Sequence, residues 1–64
     1  MGQGHPHHAT ALSNLGGALI RLGRHGEALP SLNKALRINR AALGDDHPST
    51  KGTKESVTAC KAAL

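Results

Sequence analysis

Apolar residues in this chain recur at helical spacing in three separate stretches. Ala11, Leu12, Leu15, Ala18, Leu19 and Leu22 follow one another at steps that return to one side of a helix, which predicts a helix over about 7–22 with those six on its buried face. Ala28, Leu29, Leu32, Ala35, Leu36 and Leu43, with Ile38 and Ala42 beside them, predict a second helix over about 25–43. The third stripe, Thr53, Val57, Cys60 and Leu64, is thinner and predicts a helix over about 48–63. Gly52 and the threonines at 50, 53 and 58 lower its intrinsic propensity.

Punctuation between the stripes fits three helices. Pro6 suits a first helical position, where a missing N–H has no partner to lose. Gly23 and Gly44 are stop signals, and Asp45-Asp46-His47-Pro48 offers acidic residues and a cap ahead of a helix-starting proline. The turn Leu22-Gly23-Arg24-His25-Gly26-Glu27-Ala28 joins the first two stripes as a tight hairpin. Two adjacent glycines, Gly16 and Gly17, imply that another helix approaches closely there. Pro30 is compatible with a helix starting near Arg24 to Glu27, because the early N–H groups lack internal acceptors. The expected fold is all-α: an antiparallel helical hairpin followed by a third helix.

Length makes such a chain marginal. A domain of 64 residues buries only about 60% of the surface its unfolded chain exposes. There is no Phe, Tyr or Trp, so the core is built from Leu, Ile, Val and Ala. Cys60 is the sole cysteine; no internal disulfide can form, and a small apolar packing role fits it better than nucleophilic chemistry. Eight Lys and Arg against four Asp and Glu give a formal charge of +4, a mild preference for acidic partners.

No apolar run approaches the roughly 20 residues a membrane span requires, and no secretory leader is evident. Pro6 stands where an N-myristoylation motif needs Ser or Thr, and Cys60 falls one residue too early for C-terminal prenylation. A cytoplasmic setting is the expectation.

The chain also repeats itself. His5-Pro6 returns as His47-Pro48, 42 residues on, and in that register Gly2 meets Gly44, Leu15 meets Val57, and Leu22 meets Leu64. The third helix reads as the start of a second copy of the first.

Leu12, Leu15-Gly16, Leu19, Gly23, Ala28, Leu32 and Ala35 resemble the tetratricopeptide repeat, with small residues where its two helices cross (Gly16, Ala28, Ala35). Leu12-Ser13-Asn14-Leu15, Gly23 to Pro30, Ala35-Leu36-Arg37-Ile38 and Leu43 to Pro48 are similar to the longer, 42-residue repeats of the kinesin light chain type. The resemblance implies an α-solenoid fragment: one full repeat over 4–45, and a partial second repeat or capping helix over 46–64. Leu12, Leu19, His25 and Leu32 stand where that family usually has aromatics. Lys54 and Lys61 replace Leu12 and Leu19 in the second copy, which implies a solvated face on the third helix.

The same resemblance implies a protein–protein interaction module without catalysis. Its groove would present Thr10, Ser13, Asn14, Gly17 and Arg21 to a peptide or partner helix. Asn14 can donate and accept at once along a peptide backbone, and Arg21 can meet a carboxylate. Exposed repeat edges imply self-association. The runner-up class is a small basic nucleic-acid-binding module using Arg37 and Arg40 beside Asn33; the absence of any aromatic to stack on bases weighs against it. His5, His7 and His8 amount at most to an adventitious metal contact, and His25 and His47 read as turn and cap residues. No phosphate loop, nucleophilic triad or cofactor motif is present, so neither an enzyme nor a cofactor is expected.

Overall fold

A computed structural model describes the backbone of residues 6–64 and the side chains of residues 8–64. Three helices account for nearly all of it: α1 (Pro6–Arg21), α2 (His25–Leu43) and α3 (Pro48–Ala63). No strand occurs among the described residues.

Helices α1 and α2 end where their sequence stops them. Gly23 takes a left-handed φ of 77°. Its N–H bonds the Ile20 carbonyl at 2.9 Å while the Arg24 N–H reaches the Leu19 carbonyl at 2.8 Å, the paired closure that only a residue tolerant of positive φ makes cheaply. Gly44, at φ 90°, performs the same service for α2, with its N–H shared between the Asn39 and Arg40 carbonyls. At the start of α3 the His47 ring caps the helix: Nδ1 accepts from the Ser49 N–H at 3.1 Å, just ahead of Pro48 at the first position.

Helix α2 is the centre of the molecule. It packs against both α1 and α3, which scarcely meet each other. One cluster joins Ala28 and Leu32 of α2 to Val57 and Cys60 of α3, with Leu19, Ile20, Leu29 and Leu36 against it. A second joins Ala9 of α1 to Ala35 and Ile38 of α2, with Leu12 alongside. Small residues on α2, Ala28 and Ala35, are fully buried and let its neighbours come close. Cys60 is also fully buried, and its thiol donates to the His25 carbonyl at 3.1 Å, so it packs and braces rather than reacts.

Three expectations need correction. In α1 the packed side is Ala9, Leu12, Gly16, Leu19 and Ile20; Ala11, Leu15, Ala18 and Leu22 face outward, with Leu15 50% and Leu22 68% exposed. The apolar arc of α1 is wider than one partner helix can cover, and the position of α2 decides which part is buried. Leu64 does not complete the α3 stripe: it follows the helix and is 70% exposed, while Thr50, which periodicity passed over, is buried. Pro30 is the sixth residue of α2, beyond the donors that lack intrahelical partners. It forfeits a bond to the Gly26 carbonyl, tolerated because Gly26 is exposed to water.

Candidate functional site

Because α1 and α3 both lean on α2 and barely touch, an open cleft of about 260 Å³ lies between them. Helix α1 supplies Thr10, Ser13 and Asn14 to its wall. Helix α3 supplies Ser49, Gly52, Thr53 and Ser56, and Asn39 of α2 lies at its base. Among the described residues no charged side chain lines it.

One hydroxyl ties the three helices together beneath this cleft. Thr53 Oγ1 donates to its own helix at the Ser49 carbonyl, 2.9 Å away. It accepts from Asn39 Nδ2 at 3.2 Å, and Ser13 Oγ stands 3.3 Å from it. Since the Thr53 proton is engaged with Ser49, Ser13 is the donor in that contact. Asn39 is only 4% exposed and Thr53 6%, so their mutual bond offsets the desolvation of both. Ser56 likewise spends its proton on the Gly52 carbonyl at 3.2 Å. Ser13, Thr53 and Ser56 therefore turn mainly lone pairs toward the cleft. Asn14 is exposed and offers both a donor and an acceptor.

Of the five groove residues expected from sequence, Thr10, Ser13 and Asn14 lie together on the cleft wall. Gly17, half-buried, and Arg21, exposed, continue the same side of α1 toward its C-terminus but do not line the cleft. The α3 wall was missed, although the 42-residue repeat carries the signal for it: Thr10 corresponds to Gly52 and Asn14 to Ser56. Asn39 had no signal, because a polar residue between Ile38 and Arg40 gives no hint of burial.

The basic residues form no comparable site. All eight Lys and Arg are exposed and spread over the three helices and the α1–α2 turn. Asn33, Leu36, Arg37, Arg40 and Ala41 line a shallow depression on α2, but Arg40 Nε is held 2.9 Å from the Asp45 carboxylate, which lowers the positive charge available there. His5 and the His7 side chain lie outside the described residues. Among the described residues no three His, Cys, Asp or Glu side chains come together as a metal site, and no helix is long and apolar enough to cross a membrane.

The family model of the tetratricopeptide repeat matches residues 8–49 of this chain, about two thirds of it and as long as the internal repeat. No curated protein and no solved structure matches it.

Proposed function

We propose that this chain, which belongs to the tetratricopeptide repeat family, holds a peptide or partner helix in the cleft between α1 and α3. Repeats of this family generally are non-catalytic protein–protein interaction modules; what is proposed here is the place and manner of binding. The observation that carries it is the cleft itself, where Thr10, Ser13 and Asn14 face Ser49, Gly52 and Ser56 across the α2 floor. Polar, uncharged side chains on two rigid helices suit a ligand's main-chain amides. In the same proposal Gly17 and Arg21 extend the groove past the cleft, and Arg21 would pair with a ligand carboxylate.

In this reading residues 4–45 are one full repeat and 46–64 the opening helix of a second, which also caps the first. The exposed Lys54 and Lys61 support the capping role. A cytoplasmic setting belongs to the same proposal, supported by a lone thiol with no disulfide partner in the chain. The nucleic-acid reading has less support, given the dispersed cations and the Arg40–Asp45 pair.

The test is selection of peptides from a random library on the full chain, followed by calorimetric titration. Asn14→Ala is expected to weaken the selected peptides about tenfold, the worth of a lost amide hydrogen bond, with unchanged helicity by circular dichroism. Equal affinity for the variant would remove Asn14 and the cleft from the reading.

A further inference from the structure

Helix α1, with Leu22 just after it, carries an apolar seam that none of the described residues covers. Ala11, Leu15, Ala18 and Leu22 are all exposed, Leu15 by 50% and Leu22 by 68%. They follow one another at steps of four, three and four, close to the roughly 3.6-residue turn that keeps a stripe on one side of a helix. Large exposed apolar stripes of this kind mark contact surfaces.

The chain itself shows what this seam does when it is used. Ala11, Leu15 and Ala18 lie 42 residues before Thr53, Val57 and Cys60, which are the positions α3 buries against α2. The seam of α1 is thus the counterpart of a face that, one repeat later, is packed on a helix. In a second copy of the chain the receiving face of α2 is already occupied by that copy's own α3. The free complement is the second copy's α1.

We propose that α1 pairs antiparallel with α1 of a second copy, making a two-fold symmetric dimer. In that direction each layer sets a large residue against a small one: Ala11 against Leu22 and Leu15 against Ala18, each twice by symmetry. A parallel pairing would instead set Leu15 on Leu15 and Ala18 on Ala18, overfilling one layer and emptying the next. The seam runs about 16 Å along α1 at about 1.5 Å per residue. Arg21, the one Lys or Arg in α1, falls opposite Leu12 of the other copy rather than its symmetry mate, so no cations are opposed. The seam lies on a different side of α1 from Thr10 and Ser13, with Asn14 between the two, one turn from both Ala11 and Ala18.

The experiment is sedimentation equilibrium of the full chain over a wide concentration series. The expected mass rises from monomer to dimer and stops there, and the melting temperature rises with concentration. Leu15→Glu and Ala18→Lys each move the dimerisation midpoint up by roughly a hundredfold, since each dimer uses both positions twice; circular dichroism should show both variants folded, because both sites are exposed. Mixing the two variants should restore dimers, because one layer then sets the introduced carboxylate against the introduced ammonium, while the other keeps Leu15 on Ala18. A monomer at every concentration overturns the proposal. Growth beyond the dimer, or no recovery on mixing, overturns the antiparallel register.

Discussion

Gly16 of α1 lies directly against Leu32 of α2. A methyl group at Gly16 would stand 2.6 Å from both Cγ and Cδ2 of Leu32, and Leu32 is only 1% exposed. The obstacle includes the branch carbon, so relief requires the whole Leu32 side chain to move within a packed core. Gly17, one residue along, would place a methyl in open space. The glycine pair therefore contains one residue demanded by the helix crossing and one that only weakens the helix.

Alanine scanning of this pair should give opposite signs. Gly16→Ala is expected to destabilise by about 1–2 kcal/mol, overpacking outweighing the gain in helix propensity. Gly17→Ala is expected to stabilise by up to about 1 kcal/mol. Urea denaturation measures both, and equal effects would contradict the crossing geometry.

Two buried threonines on α3 should also diverge under one substitution. Thr50 is 1% exposed and its hydroxyl has no hydrogen-bond partner among the described residues. Thr50→Val removes an unpaired polar atom at nearly constant shape, and a gain of about 1 kcal/mol is expected.

Thr53→Val removes the acceptor that Asn39 and Ser13 share. The Asn39 amide is left buried and unpaired, with an expected loss of about 1–3 kcal/mol. The Asn39 side-chain amide resonances should shift in Thr53→Val and stay in place in Thr50→Val. Equal thermal shifts for the two variants would mean that the Thr53 node contributes nothing.

At the start of α3 the His47 ring accepts from Ser49. His47→Ala should cost about 0.5–2 kcal/mol, whereas His47→Asn should retain most of the stability, because an amide oxygen can accept in the same place. The melting temperatures of the pair decide between a cap and an incidental contact.

Local chemistry made much of this molecule legible in the sequence. Gly23 and Gly44 ended helices because their backbones alone take a positive φ at little cost, and Pro48 with His47 started one because a ring nitrogen and a missing N–H suit a helix N-terminus. The 42-residue recurrence held the order of the helices, and the resemblance to the tetratricopeptide repeat marked positions 10, 13 and 14 of α1, half of the cleft. These determinants act within a few residues of one another, so the chain encodes them directly.

What periodicity could not settle was which part of a broad apolar arc becomes interior. Ala11, Leu15, Ala18 and Leu22 satisfy the helical pattern as well as Leu12 and Leu19 do, yet they face outward, because burial is decided by where α2 crosses and the Gly16–Leu32 approach fixes that crossing. The same holds for Asn39 and Thr53. Their residue types favour the surface, and only the convergence of three helices gives each the partner that offsets the cost of burial. Sequence alone determined where the helices begin and end, through interactions each segment makes with itself. Tertiary structure decided which faces are inside and which are left for another molecule, because burial depends on contacts between segments far apart in the chain.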